Sequence, residues 1–177
     1  RVGVVCGTGN NGGDGLGIAR ILAGLGYQVS VWIVRGGKES QDFAINLSQL
    51  GSTLVPLDFI AGISSIPDCD VLIDAVFGSG LTRPAEGIFL EAIQAINNTD
   101  AVRVAVDIPS GLFADQHLDG LAVKAHHTIT FQLPKLSFFL PENQMYVGDW
   151  HRVDIRLDKS FISKAETSHF CMTRKTA

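Results

Sequence analysis

The sequence predicts an α/β fold, namely a Rossmann-like, three-layer α/β/α sandwich with a mostly parallel central sheet. Short apolar or β-branched runs have the length and character of strands that are buried on both faces. Helical apolar repeats lie between these runs, and the connections are short, as in doubly wound sheets. The 177 residues and the 46% hydrophobic content fit one such domain.

Five strands and three helices are predicted in alternation along the chain. The predicted strands are residues 2–5, 29–34, 71–77, 102–108 and 128–131. Helices follow from apolar residues at steps of three and four. These residues are Leu16, Ala19, Leu22 and Ala23, then Phe43, Leu47 and Leu50, and then Leu90, Ile93 and Ile96. We expect the first helix to begin near Leu16 and the third near Ala85. In such sheets ligands bind outside the carboxyl ends of the strands, so the site is expected at that edge.

Composition excludes several classes of partner. A formal net charge of -4 gives no excess of positive charge for nucleic acid or anionic membrane, so neither is an expected partner. No apolar run reaches the roughly 18 to 20 residues of a membrane span, which predicts a soluble protein. Cys6, Cys69 and Cys171 are odd in number and lack CxxC spacing. A reducing, cytoplasmic location is therefore predicted.

The loop after the first strand predicts a ligand site. Residues 7–15 read GTGNNGGDG, and backbone amides in such a loop can approach a phosphate closely. Three of the glycines satisfy GxGxxG, but Trp32 stands where a dehydrogenase needs its ribose-binding acid, and Glu39 is too far along. A purely structural turn is the alternative. The two asparagines favour a site for a polar ligand or a hard cation.

Two carboxylates end predicted buried strands. Asp74 and Asp107 lie in otherwise apolar runs, where a charge is costly unless it is paired or hydrogen-bonded. Residues 78–84, GSGLTRP, form a loop suited to a phosphate or pyrophosphate, and Lys135 follows the strand at 128–131. The alternative for each aspartate is a side chain that only bonds loop amides. The alternative for residues 78–84 is a solvated surface loop, and that for Lys135 is an exposed side chain. Four segments each follow a predicted strand and are expected to converge on the carboxyl edge of the sheet. They are the glycine loop, Asp74 with residues 78–84, Asp107 with Ser110, and Pro134 with Lys135.

Three sequence blocks resemble the YjeF N-terminal domain family, the NAD(P)H-hydrate epimerases. They are GNNGGDG at 9–15, DAVFG at 74–78 and VDIPSG at 106–111, and the similarity extends to about residue 157. The resemblance implies an isomerase of metabolite repair. Its substrate would be the hydrated form of NADH or NADPH (NADHX or NADPHX), whose R and S epimers it would interconvert.

The resemblance also implies roles for individual residues. The substrate would lie against Asn10, Asn11, Gly12, Gly13 and Asp14 of the first loop and Gly78, Ser79, Gly80, Leu81, Thr82, Arg83 and Pro84 of the second. A potassium ion (K⁺) would be bound by Asn11, Asp74 and Ser110. Asp107 would contact the reacting end of the substrate. We expect Asp107 to shuttle the proton, with Lys135 as the other catalytic candidate.

The domain prediction is an epimerase domain at 1–157 followed by a polar tail or linker at 158–177. The sequence opens on a strand, whereas family members usually carry a helical segment ahead of it. We therefore expect a piece of a longer bifunctional enzyme with a dehydratase domain on the same chain. A homodimer is also expected from the family. The alternatives are a non-catalytic nucleotide- or protein-binding module of the same fold and, less consistent with the missing ribose acid, a dehydrogenase.

Overall fold

The computed structural model describes residues 1–51, 54, 56–59 and 66–170, so Cys171 and the rest of 171–177 in the predicted tail lie outside the described residues. The described strands are β1 (Val2–Cys6), β2 (Val29–Ile33), β3 (Leu57–Asp58), β4 (Val71–Ala75), β5 (Val102–Val106), β6 (His127–Phe131) and β7 (Asp149–Val153). They form one sheet with the order β3-β2-β1-β4-β5-β6-β7.

Every pair of neighbouring strands in this sheet is parallel. The five predicted strands are confirmed, although the strands predicted at 71–77 and 102–108 end earlier, at Ala75 and Val106. Two strands at the sheet edges were not predicted. The strand β3 has only two residues, and every residue of β7 is exposed, so neither has the apolar run of a buried strand.

Five helices are described, namely α1 (Asn10–Gly24), α2 (Gln41–Ser48), α3 (Ile88–Asn97), α4 (Gln144–Val147) and α5 (Lys159–Lys164). The predicted start of α1 near Leu16 is wrong, because its first turns consist of the loop residues that sequence patterns assign to a turn. The start near Ala85 is wrong as well, since Gly87 with φ +55° directly precedes α3. Part of the predicted irregular tail is helical in α5, which Asp158 caps. Within the described ranges no helix has the length and apolarity needed to cross a membrane.

The two largest buried clusters of the core lie on opposite faces of the sheet. Val4 and Cys6 of β1 pack with α1 and α2 on one face. Val5 of the same strand packs with α3 on the other, as expected from the alternation of side chains along a strand. Cys6 is fully buried, and this burial raises the pKa of its thiol. The predicted three-layer α/β/α arrangement is therefore confirmed.

Glycines at the end of β1 allow the backbone of α1 to approach the sheet closely. A Cβ atom on Gly12 would collide with the backbone carbonyl of Gly7, and one on Gly7 would collide with the carbonyl of Val76. Both obstacles are backbone atoms, which cannot move aside as a flexible side chain can. The close approach fixes α1 against the loop that follows β4, and these two segments form walls of the site described below.

We expect Gly12→Ala to lower the free energy of unfolding by about 1–3 kcal/mol, because the added methyl group overpacks a backbone contact. Gly24→Ala at the end of the same helix is the matched control, since a Cβ there meets nothing within 4 Å. It should be neutral or stabilise the protein by up to about 1 kcal/mol. Urea unfolding of both variants measures the difference. Equal stability of the two would contradict the close packing at Gly12.

Candidate functional site

A cleft of about 710 Å³ lies at the carboxyl edge of the sheet, where the sequence predicts the site. Its walls come from the loops after β1, β2 and β4 and from the ends of β5 and β6. The lining residues are Thr8, Gly9, Asn10, Asn11, Asp14, Gly37, Lys38, Ser40, Val76, Phe77, Gly78, Ser79, Gly80, Leu81, Thr82, Arg83, Phe89, Asp107 and Phe131. The cleft is large enough for a nucleotide-sized ligand.

Asp74 lies beneath this cleft and is completely buried. Its carboxylate accepts hydrogen bonds from the backbone N–H of Ser110 at 2.8 Å, the hydroxyl of Ser110 at 2.6 Å and the N–H of Val76 at 3.3 Å. Burial nevertheless raises the pKa of Asp74 to about 6, since the hydrogen bonds offset only part of the desolvation. The sequence analysis requires a partner for a carboxylate in this apolar strand, and in the structure that partner is Ser110.

Asn11 and Ser110 meet at the backbone of Phe77. The amide Nδ2 of Asn11 donates to the Phe77 carbonyl at 2.9 Å, and the Phe77 N–H donates to the Ser110 hydroxyl at 2.8 Å. Asp74 is joined to the same group through Ser110. The three residues that the resemblance implies for potassium thus form one hydrogen-bonded network around the backbone N–H and C=O of Phe77.

Asp107 occupies an unusual backbone conformation at the end of β5. Its φ is +66°, and the N–H of Ile108 donates to the carbonyl of Val106 at 2.8 Å across it, which makes a tight γ-turn. Positive φ is uncommon for residues other than glycine and is found at functional sites, although aspartate tolerates it better than most. The turn ends the strand and directs the carboxylate toward the end of β6.

Lys135 is the charged partner of Asp107. Its Nζ lies 2.6 Å from Oδ1 of Asp107 and also donates to the hydroxyl of Thr130 at 3.1 Å. The backbone N–H of Phe131 donates to the same carboxylate oxygen at 3.2 Å. The side chains of the ion pair are only 10% and 15% exposed, so solvent screens the interaction weakly. The pair combines a proton donor and a proton acceptor beside the cleft.

The other predicted residues differ in position. Asn10, Asp14 and residues 78–83 line the cleft, whereas Pro84 does not, and Gly12 and Gly13 are buried behind its wall. Gly13 lies where its missing Cβ would touch the backbone of α2. Asp14 has a raised pKa, first because it loses solvent and then because the carboxylates of Asp107 and Asp42 lie nearby. The predicted convergence of the four segments on one edge is confirmed.

Sequence reasoning missed several residues that the structure places at the site. They are Thr8, Lys38, Ser40, Phe89 and Thr130. For Thr130 a signal existed, because Thr128 and Thr130 are polar positions in a strand that is otherwise apolar. The loop after β2 was tested for a ribose-binding acid only, and no sequence pattern placed Lys38 at the cleft.

A second depression, of about 760 Å³, lies at the amino ends of the strands. Arg1, Gln28 and Cys69 are among the residues that line it. None of the predicted catalytic, substrate-binding or metal-binding residues lines it, and no carboxylate buried in the sheet opens into it. The carboxyl-edge cleft is therefore the candidate functional site.

Fold and site together define a class of protein. It is a Rossmann-like α/β domain with a glycine-walled cleft of nucleotide size at the carboxyl edge of the sheet. The chain belongs to the family described as "YjeF-related protein N-terminus", which residues 1–137 match. The crystal structure of yeast ynu0, YNL200c, has the same fold, with a TM-score of 0.72 and 22% identity over 93% of this chain and 70% of that chain.

Two curated relatives illustrate the range of the family. A protein from Thermofilum pendens, "Bifunctional NAD(P)H-hydrate repair enzyme Nnr", is 40% identical over 154 residues, which are 82% of this chain and 28% of that protein. A protein from Levilactobacillus brevis, "NAD(P)H-hydrate epimerase", is 36% identical over 156 residues, which are 88% of this chain and 72% of that protein. The chain thus spans less than a third of the bifunctional relative.

Proposed function

We propose that this chain interconverts the R and S epimers of hydrated NADH and hydrated NADPH. The observation that carries the proposal is the Asp107–Lys135 ion pair, which lies beside a nucleotide-sized cleft walled by glycine-rich loops. Relatives named for this activity match most of the chain. Backbone amides of residues 78–80 and the start of α1 supply donors for the pyrophosphate.

The chemistry of the hydrate suits an acid–base pair. The hydroxyl group is on a ring carbon bonded to nitrogen, so the nitrogen lone pair can form a C=N bond while the C–O bond breaks. In the proposed reaction, the Asp107–Lys135 pair gives a proton to the departing hydroxyl, which leaves as water. Water then adds to the opposite face of the same carbon, and its surplus proton returns to the pair. No redox step is needed.

We also propose that Asn11, Asp74 and Ser110 hold a potassium ion. Carboxylate, amide and hydroxyl oxygens are ligands for hard cations, and these three side chains meet around Phe77. The set has a single carboxylate and otherwise neutral oxygens, and this low charge suits a monovalent cation. The ion would neutralise Asp74 and fix the loop after β4.

The rival function is a non-catalytic nucleotide- or protein-binding module of the same fold. A binding module requires the cleft, but it does not require the Asp107–Lys135 ion pair beside it. The short Asp107–Lys135 contact therefore favours an enzyme. A dehydratase domain on the same polypeptide, a homodimer and a cytoplasmic location stay predictions from the resemblance and the composition.

The proposed activity is tested by incubating one purified epimer of NADHX with the protein and following the other epimer by chromatography. We expect acceleration over the spontaneous rate, with a higher rate in potassium chloride than in choline chloride at equal ionic strength. Ser110→Ala should weaken the response to potassium, because it removes one oxygen of the proposed ion site. Binding of NADP⁺ without any acceleration would favour the binding module.

A further inference from the structure

Lys38, in the loop after β2, is a cation of the cleft that the proposed reaction leaves without a role. Among the described residues that line the cleft, Lys38 and Arg83 are the cationic ones. Neither forms an ion pair within the described part of the chain. An unpaired cation facing a ligand cleft is suited to bind an anionic group of the ligand.

The loop that carries Lys38 is held in place on two sides. The hydroxyl of Thr8 donates to the carbonyls of Gly37 and Lys38 at 3.3 and 3.4 Å, and the N–H of Ser40 donates to the Thr8 carbonyl at 2.9 Å. On the other side, Gly36 is so close to the ring of Phe89 that a Cβ would be 2.7 Å from it. The base of the Lys38 side chain is therefore positioned relative to the walls of the cleft.

The sheet order places Lys38 far from the reacting end. From β5, which carries Asp107, the sequence of neighbours is β4, β1 and then β2, which leads to Lys38. Three strand spacings of about 4.8 Å separate these two ends of the cleft by roughly 14 Å. Arg83 and the loop at 78–80 follow β4, between them. The two cations are thus distributed along the cleft, one in the middle and one at the end.

This arrangement matches the order of groups in an extended dinucleotide. Resting on the proposed function, a hydrated nicotinamide ring at Asp107 would place the pyrophosphate near Arg83 and the loops around it. The adenosine ribose would then lie toward β2. That position is where Rossmann-type proteins read the ribose 2′ group, with an acid for a hydroxyl or a cation for a phosphate.

By position alone, Arg35 would be the cation expected to contact the ribose 2′ group, because it follows β2 most closely in the sequence. Its guanidinium is instead bound to Asp58 at 2.7 Å and to Glu39 at 2.8 Å, and Arg35 does not line the cleft. Both partners are carboxylates, so its charge is already compensated. Lys38 is the free cation at this end.

We propose that Lys38 binds the 2′-phosphate of the adenosine ribose and makes the cleft prefer hydrated NADPH over hydrated NADH. The ammonium group is a flexible point charge, which suits a terminal phosphate at an open end of the cleft. NADH lacks that phosphate, so its hydrate loses this contact and no other.

The test compares kcat/KM for NADPHX and NADHX in the wild type, Lys38→Gln and Arg20→Gln. Lys38→Gln is expected to lower kcat/KM for NADPHX about tenfold, as for one charge-assisted hydrogen bond, and to leave NADHX unchanged. Arg20→Gln removes the same charge at the opposite edge of the sheet and should change neither value. Equal losses for both substrates, or no loss, would overturn the proposal.

Calorimetric binding of NADP⁺ and NAD⁺ separates this inference from the proposed activity. The wild type should bind NADP⁺ more tightly than NAD⁺, and Lys38→Gln should remove that difference. If the protein shows this binding pattern but does not epimerise either hydrate, the proposed role of Lys38 is supported and the proposed activity is wrong. If the protein epimerises both hydrates without preference and binds both nucleotides equally, the proposed activity is supported and the proposed role of Lys38 is wrong.

Discussion

Asp107→Asn is expected to lower the rate of epimerisation by about 10²- to 10⁴-fold, the usual contribution of a positioned acid–base group. Asparagine has nearly the same shape and also tolerates the positive φ at this position, so the γ-turn should persist. The variant keeps the hydrogen-bonding oxygen for Phe131 but loses the charge that pairs with Lys135. Nucleotide binding should therefore survive while turnover is lost.

Single-turnover conversion of one NADHX epimer measures the rate, and calorimetry with NADP⁺ measures binding. Asp115→Asn is a matched control, because Asp115 is exposed and does not line the cleft. It should behave as the wild type does. A normal rate for Asp107→Asn would exclude it as the proton shuttle. Lys135→Met would then be the decisive variant, since Lys135 is the other half of the pair.

Without potassium, the stability of the protein is expected to fall as pH rises from about 4 to about 6. The pKa of Asp74 is raised from 3.8 to about 6 by burial, so in this window the folded state holds a proton that the unfolded state has released. The stabilisation that comes from the raised pKa of Asp74 is fully present below pH 3.8 and is lost above about pH 6. The shift corresponds to about 3 kcal/mol.

Potassium should reverse this loss, because a cation beside the carboxylate favours its charged form. Urea unfolding across pH 4–7 in potassium chloride and in choline chloride measures the effect. The free energy of unfolding should fall less steeply with pH in potassium chloride than in choline chloride. Potassium should therefore stabilise the protein most above pH 6. Asp14 also has a raised pKa, so the comparison with Asp74→Asn isolates the contribution of Asp74.

Asp74→Asn should lose both the pH slope assigned to Asp74 and the stabilisation by potassium. The amide is also expected to destabilise the fold, since one of its atoms is a donor facing the N–H of Ser110 or of Val76. Ser110→Ala provides a second variant that retains the carboxylate. It removes a hydrogen bond that lowers the pKa of Asp74, so the pH window should move upward. Identical profiles in potassium and choline would contradict the ion site.

The parts of the fold that could be predicted from sequence are those that burial dictates. The strand β4 is an apolar run interrupted by one aspartate, and a parallel sheet is the arrangement that buries such a run on both faces. The strand β7 could not be found this way, because it is an edge strand whose residues are all exposed. The start of α1 at Asn10 was missed because glycine has low helix propensity, whereas here close backbone packing overrides propensity.

The site was predictable to the extent that it depends on costly burial. A carboxylate in an apolar strand requires a partner, and this requirement led to Asp74. The convergence of its loop with Ser110 follows from the position of both segments after parallel strands. The pairing of Asp107 with Lys135 depends on a γ-turn, which no local sequence pattern indicates. The position of Lys38 depends on sheet order and on the hydrogen bonds of Thr8, both of which are properties of the tertiary structure.

The most direct test of the proposed function is the conversion of a single purified epimer of NADHX in potassium chloride. The proposal predicts that the wild-type protein brings the two epimers to equilibrium much faster than the spontaneous reaction does, and that Asp107→Asn at the same concentration does not. If the wild-type protein and a protein-free solution convert the epimer at the same rate, the chain is not an epimerase, and the cleft would have to be explained as a binding site alone.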